Sequence, residues 1–346
     1  MVRGKHTLQE IMSQPDVWAE ALAAFSAGQE RLQSLFAAAD FDQVIVSGCG
    51  STYYLALSAA RLLRKSGLDA VALPASELLL HVDSICLPQR RYMLLTVSRS
   101  GATSETVRAQ QNFKSKIGGP VLTVTCNSGS PLAQEADLAI AIDAAQEVSV
   151  AQTRSFSSML VALQQLAALV ADHELSASYS LPAICHDLLE TYADLALSLG
   201  ENSAITKFFF LGSGALYGIA CEAMLKMKEM SLSYSEAYHT LEFRHGPMSM
   251  AGSDSLVIGL ISPESARQET RVLAEMVDMG ASVLAIGQAP GQQEHQITLP
   301  ADLPPWCAPV LHLPALQLLA YQRAIYNGCD PDNPHQLSAV ISLDDI

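Results

Sequence analysis

Two stretches of this 346-residue chain carry side chains spaced for chemistry. The first, Ser98-Arg-Ser-Gly-Ala-Thr-Ser-Glu-Thr106, follows the apolar run Tyr92 to Val97 and leads into a helical pattern reaching Lys114. An apolar run that breaks into hydroxyls and glycine before a helix reads as a buried parallel strand, a ligand loop and a helix N-terminus. The unpaired N–H groups and positive dipole end of such a helix favour an anion, and Ser98, Ser100, Thr103 and Ser104 add hydroxyl donors. A phosphate monoester suits this set; so does ordinary turn and cap chemistry, and both readings stand.

The second stretch runs Lys226-Met-Lys-Glu229, then Ser235-Glu-Ala-Tyr-His239, then Glu242-Phe-Arg-His245-Gly-Pro247. Lys226 and Glu229, three apart, share a helix face, where the ammonium holds the carboxylate ionised and able to act as a base. A solvated ion pair has the same spacing. His245 precedes Gly-Pro, which ends regular structure and puts the imidazole on a loop, the usual place for a titrating functional group and also a common place for a structural one. The nine histidines form no His-x-x-x-His or Cys/His pattern, so no metal site is expected.

The elements that must position these residues read as an α/β fold. Residues 7–36 suggest two helices at apolar 3.6 spacing. A strand over 41–47 then meets Gly48-Cys-Gly50-Ser51-Thr52 and a helix from Tyr53, a junction where glycines bring backbone close to a ligand. Further strands follow near 71–74, 92–97, 120–125 and 138–142, alternating with helical segments, which predicts a parallel sheet covered on both faces. Gly48-x-Gly50 alone is a weak dinucleotide signal, because Tyr53 stands where a third glycine belongs.

The chain also resembles itself. Phe210-Leu-Gly212-Ser-Gly214 repeats the pattern of Val46-Ser-Gly48-Cys-Gly50, and Ile261-Ser262 with its following helix repeats Val97-Ser98, both at a displacement of 164 residues (212 − 48 and 262 − 98). Two α/β units in tandem are expected, with a helical arm over 1–36, a first unit over 37–185 holding the hydroxyl loop, and a second over 186–346 holding Glu229 and His245. In the second copy Pro263-Glu264 should bring negative charge to the loop, leaving the anion site to the first.

Composition narrows the function classes. Acids outnumber Lys and Arg by 35 to 20, a net charge of −15, which argues against a nucleic-acid surface while leaving room for a small anion held by local amides. Seven scattered cysteines without a Cys-x-x-Cys pair read as reduced core residues of a cytoplasmic protein. The first residues lack the apolar stretch of a secretory signal and no run is long enough to span a membrane.

Gly48-Cys-Gly50-Ser-Thr, Ser98-Arg-Ser-Gly-Ala-Thr103, Glu147 to Phe156, Glu222-Ala-Met-Leu-Lys-Met-Lys-Glu229 with Glu236-Ala-Tyr, and Arg244-His-Gly-Pro247 resemble, in order, the motifs of the sugar isomerase (SIS) domain family. The likeness covers nearly the whole chain and is to the isomerase half of glucosamine-6-phosphate synthase and its single-function relatives. It implies two flavodoxin-like units, a homodimer with shared sites, no cofactor and a hexose 6-phosphate substrate. By motif, Thr52, Ser98, Arg99, Ser100 and Thr103 match phosphate binders, Arg99 replacing the synthase's usual glutamine with a cation. Gly50, Ser51, Val150 and Ala151 match sugar-binding positions. Glu229 matches the base that moves a proton between C1 and C2, Lys226 lies near it, and His245 matches the ring-opening histidine, reaching in from the partner subunit.

Two departures shape the expected reaction. The sequence carries no glutaminase segment, and Ala339 stands where the synthase has an imine-forming lysine. Full synthase activity is therefore not expected. The resemblance implies instead a deaminase that turns an amino-hexose 6-phosphate into fructose 6-phosphate and ammonia. Simple aldose–ketose isomerisation or 6-phosphofructosyl-amine deglycation are its alternatives within enzymes, and a non-catalytic sugar-phosphate sensor is the alternative outside them.

Overall fold

The computed structural model describes residues 3–334 and 337; the comparison at Ala339 lies outside them. Its elements are, in order, α1 (Lys5–Met12), α2 (Gln14–Ala38), β1 (Gln43–Gly48), α3 (Ser51–Lys65), β2 (Ala70–Pro74), α4 (Ala75–Ile85), β3 (Tyr92–Ser98), α5 (Ser104–Lys116), β4 (Val121–Thr125), α6 (Pro131–Glu135) and β5 (Leu138–Ala141). There follow α7 (Arg154–Val170), α8 (Leu181–Thr191), α9 (Ala193–Gly200), β6 (Lys207–Gly212), α10 (Leu216–Ser231), β7 (Tyr234–His239), β8 (Ser255–Ile261), α11 (Ala266–Asp278), β9 (Ser282–Gly287), β10 (His295–Thr298) and α12 (Leu313–Tyr326).

The chain divides into two units. One comprises residues 13–147 and 154–182; the other gathers 1–12, 148–153 and 183–337. Helix α1 thus belongs to the second and α2 to the first.

Each unit is built on a five-stranded sheet with every pairing parallel, ordered β2-β1-β3-β4-β5 in the first and β10-β9-β8-β6-β7 in the second. Read from the other edge, the second is 2-1-3-4-5 in its own numbering, the same order as the first. Strands buried on both faces explain the continuous apolar runs: Phe208, Phe209 and Phe210 of β6 are all fully enclosed although neighbouring side chains point to opposite faces. In the first unit α7 is buried from Ser155 to Ala168, so its polar groups need internal partners. The Trp18 indole donates to Ser157 Oγ at 2.8 Å, and that hydroxyl donates to Gln14 Oε1 at 2.7 Å, tying α2 to α7.

The glycines at the two strand ends are needed for one steric reason. A Cβ on Gly48 would lie 2.6 Å from Thr52 Oγ1, and one on Gly212 would lie 2.5 Å from the Leu216 carbonyl oxygen. Gly50 and Gly214, again 164 apart, have φ of +55° and +57°, a left-handed turn that disfavours a side chain. Among the described residues no helix is long and apolar enough to cross a membrane, and all seven cysteines are free.

Candidate active site

In the first unit, β3 delivers Ser98 to the sheet's carboxyl edge and α5 begins six residues later. The loop between them is held from outside by bonds to its main-chain carbonyls. Cys126 N donates to the Arg99 carbonyl at 3.1 Å, Leu132 N to the Gly101 carbonyl at 3.1 Å, and Asn127 Nδ2 to the Ser100 carbonyl at 3.3 Å. Gly101 takes φ +62°, and a Cβ there would fall 2.0 Å from Ser130 Oγ, so no other residue fits this bend without moving α6.

Within that frame the hydroxyls turn to the loop's own amides. Ser98 Oγ accepts from Gly101 N at 3.1 Å and Ser100 Oγ from Ala102 N at 3.2 Å. An oxygen that accepts an N–H keeps its own proton to donate, which suits an incoming anion. Thr103 occupies the N-cap position of α5 but makes no side-chain cap bond, so the cap reading of the loop loses its best member. Thr52, at the start of α3, is turned inward: its hydroxyl accepts from Cys49 N at 3.0 Å and donates to the Cys49 carbonyl at 2.9 Å. It shapes the Gly48–Gly50 turn, with Ser51 buried beside it.

Arg99 is nearly enclosed and stands 3.8 Å from Glu147, whose side chain is fully buried. The cation noticed in the loop is therefore part of an ion pair. Glu147 also accepts from Ser155 Oγ. No local pattern announces a partner 48 residues away.

The matching loop of the second unit is filled by its own carboxylate. Glu269, buried on α11, accepts from Ser262 N at 2.7 Å and from Ser265 Oγ at 2.9 Å, and its oxygens lie 3.3 and 3.5 Å from Ser262 Oγ. The negative charge expected from Glu264 is supplied by Glu269, five residues further on in the first turn of α11.

The second unit's ionisable group centres on α10. Glu222, Lys226 and Glu229 lie at i, i+4 and i+7, one stripe of the helix. Lys226 Nζ sits 3.2 Å from Glu222 and 2.5 Å from Glu229; its side chain is 1% exposed, that of Glu222 0% and that of Glu229 21%. This is not a solvated surface pair. Burial pulls the Lys226 ammonium towards neutrality, but the carboxylates of Glu222 and Glu229 outweigh it and leave its pKa above the ordinary lysine value. The group carries two negative charges on one cation, and Glu229 is the member open to solvent. Sequence spacing shows the Lys226–Glu229 pair; the Glu222 contact at i+4 was equally legible and was missed.

Strand β7 carries the next acid. Glu236 accepts from Tyr234 Oη at 2.8 Å and from Tyr238 Oη. Burial, aided by that carboxylate, pushes the Tyr238 hydroxyl up to about 12, and the bond to Glu236 raises Tyr234 as well. Both phenols are donors at neutral pH, so Glu236 is occupied on each oxygen. His239 stacks on Tyr217 with centroids 3.7 Å apart. His245 lies exposed after a 3-10 turn, its N–H bonded to the Glu242 carbonyl at 2.9 Å, and Gly246 turns the chain with φ +122°.

Ser98, Arg99, Ser100 and Thr103 thus share one loop of the first unit, with Thr52, Ser51 and Gly50 on the neighbouring β1–α3 turn. Lys226, Glu229 and His245 belong to the second unit, as do Val150 and Ala151. Among the described residues no cluster of three or more His, Cys, Asp or Glu is placed to hold a metal.

The chain matches the SIS domain family over residues 39–169 and 204–296. It is 30% identical over 358 aligned positions to the glutamine–fructose-6-phosphate aminotransferase (isomerizing) of Pyrobaculum aerophilum, covering 97% of this chain and 57% of that protein. For the Shewanella oneidensis protein of the same name the identity is 28%, with 98% and 59% covered. The chain therefore spans somewhat over half the length of these relatives. Among solved structures, the glucosamine-6-phosphate deaminase of Thermotoga maritima superposes with a TM-score of 0.80 at 28% identity, covering 97% of this chain and 99% of that one. The tagatose-6-phosphate ketose/aldose isomerase of Escherichia coli gives 0.85 at 24% identity over 96% and 98%, a likeness that bears on fold. One matched segment contains the hydroxyl loop and the other the buried Glu222–Lys226–Glu229 stripe, and the chain belongs to the SIS domain family, homologous to the isomerase half of the aminotransferase.

Proposed function

We propose that this protein is a phosphosugar isomerase of the deaminating kind, converting an amino-hexose 6-phosphate such as glucosamine 6-phosphate, with water, to fructose 6-phosphate and ammonia. The observation that carries the reading is Glu229: a carboxylate at the solvent end of a buried stripe, held by a cation that is itself anchored to a second carboxylate. The hydroxyl loop supplies the other requirement, a seat for the 6-phosphate.

The chemistry follows from those roles. His245, acting in the partner subunit of a homodimer, moves a proton between the ring oxygen and O1 and opens the sugar. Glu229 takes the C2 proton of the open aldose and returns it to C1, leaving an imine at C2 and an alcohol at C1. Water adds to C2 and ammonia departs, so the balance is amino-hexose 6-phosphate plus water giving ketose 6-phosphate plus ammonia. Lys226 keeps Glu229 oriented and its charge stabilised. The steps call on acids and bases alone, without metal or organic cofactor.

The phosphate role makes its own prediction. Ser98→Ala together with Arg99→Ala is expected to raise KM for the phosphorylated sugar by roughly 10- to 100-fold, the loss of one or two charge-assisted hydrogen bonds. Because Arg99 also neutralises Glu147, the companion Ser98→Ala alone separates the anion contact from the ion pair. Equal use of an unphosphorylated sugar by the wild type sinks the loop assignment.

The deciding assay supplies glucosamine 6-phosphate and galactosamine 6-phosphate in parallel and follows ammonia and ketose 6-phosphate together. Equimolar release from one epimer supports the deaminase and names its substrate class. Silence with both, followed by ketose from a hydroxy-aldose 6-phosphate supplied next, moves the function to plain isomerisation. Binding without turnover, unaffected by loss of Glu229 and His245, moves it to a sensor.

A further inference from the structure

Residues 148–153 have no regular secondary structure and group with 1–12 and 183–337 rather than with their neighbours on either side in sequence. What holds them is a buried charge from the start of the chain. Glu10, on α1 and 2% exposed, accepts from Val148 N at 2.5 Å, from Ser149 N at 3.3 Å and from Ser149 Oγ. At the far end of the segment Gln317 Nε2 of α12 donates to the Thr153 carbonyl at 3.2 Å.

Helix α1 is itself fixed by carboxylates. Asp332 accepts from His6 N at 3.1 Å, Thr7 N at 2.7 Å and Thr7 Oγ1 at 2.8 Å, and Asp330 accepts from Gly4 N at 3.0 Å. Acids at a helix N-terminus satisfy its orphan amides and its dipole together. The result is a short strut, capped at one end by the segment after α12 and presenting Glu10 at the other. A buried carboxylate is a costly way to close a loop unless the loop's main-chain position matters, because three donors must be aligned to offset its desolvation.

We propose that Glu10 is a positioning residue for the sugar-binding segment, fixing the main chain at Val148 and Ser149 so that Val150 and Ala151 meet the substrate. The assignment rests on the phosphosugar reading above. It explains why an irregular six-residue stretch is held by a charge 138 residues away. Glu10 does not touch the reacting atoms, so its removal acts on KM more than on kcat.

The test compares Glu10→Ala and Glu10→Gln in the full chain, with two readouts. Hydrogen exchange needs no ligand: in Glu10→Ala the Val148 and Ser149 amides are expected to exchange at least about tenfold faster, as the loss of charge-assisted bonds implies. Steady-state kinetics on the hexose 6-phosphate that the wild type uses, run well below the unfolding temperature of each variant, is expected to show KM up by about tenfold in Glu10→Ala with kcat little changed. Glu10→Gln keeps one carbonyl acceptor and is expected to recover part of both. Unchanged exchange, or unchanged KM in an active wild-type background, overturns the assignment alone; a wild type that neither binds nor turns over any hexose 6-phosphate overturns the parent reading and the assignment with it.

Discussion

Glu229→Gln is expected to lower kcat for the aldose–ketose proton shift by roughly 10²- to 10⁴-fold while leaving KM for the phosphosugar nearly unchanged. Glutamine has the volume of glutamate and its amide oxygen can still accept from Lys226, now 2.5 Å from the carboxylate, but it cannot carry a proton from one carbon to the next. The substitution also spares the fold. Lys226 keeps Glu222 at 3.2 Å, so the buried stripe goes from two carboxylates on one cation to a balanced pair. Binding is expected to survive because the hydroxyl loop is untouched. Of the other acids in this stretch, Glu222 is buried against Lys226 and Glu236 is already occupied by Tyr234 and Tyr238, so neither offers a ready replacement. Single-turnover measurement of proton exchange at C2 is the direct check, and wild-type exchange in Glu229→Gln would remove Glu229 from the mechanism.

Individual strands and the two loops were legible because each rests on local patterning. The apolar runs ending in Gly48, Ser98, Gly212 and Ile261 mark four strands, and the 164-residue displacement relates Gly50 to Gly214, which share one left-handed turn. Strand β7 was harder, since Tyr-Ser-Glu-Ala-Tyr-His is an edge strand with mixed polarity and offers no buried run. What stayed hidden are the long-range partners. Nothing near Arg99 in sequence names Glu147, nothing near Val148 names Glu10, and the carboxylate that fills the second loop is Glu269 on the following helix rather than Glu264 in the loop itself. Polar groups in a closed interior must find partners, but sequence spacing identifies those partners only within a helical turn or across a short bend. The Glu222–Lys226 contact falls inside that range, and it is what distinguishes a buried stripe from a surface pair.

Lys226→Met carries the largest expected cost in stability. The wild-type ammonium is 1% exposed and lies between two carboxylates, one of them fully buried. Methionine fills most of the same volume yet leaves Glu222 without its cation, and breaking a buried ion pair on one side costs about 3–5 kcal/mol. Replacing both members, as Lys226→Met with Glu222→Gln, is expected to recover much of that loss, since no buried charge is then left unbalanced. The pH dependence separates this account from simple loss of packing. In the wild type the folded pKa of Lys226 is raised, so its contribution is fully present below the unfolded lysine value and is lost only as pH rises through the higher folded value; neutral pH lies well inside the stable window. In Lys226→Met the charged form of the buried Glu222 carboxyl has lost its cation and protonation relieves that cost, so the deficit relative to wild type is expected to shrink as pH falls. Denaturant unfolding of the three proteins at neutral and mildly acidic pH reads both effects. A deficit that is the same at both pH values, or that the second substitution does not reduce, would assign the cost to packing and leave the Glu222–Lys226–Glu229 stripe without its electrostatic role.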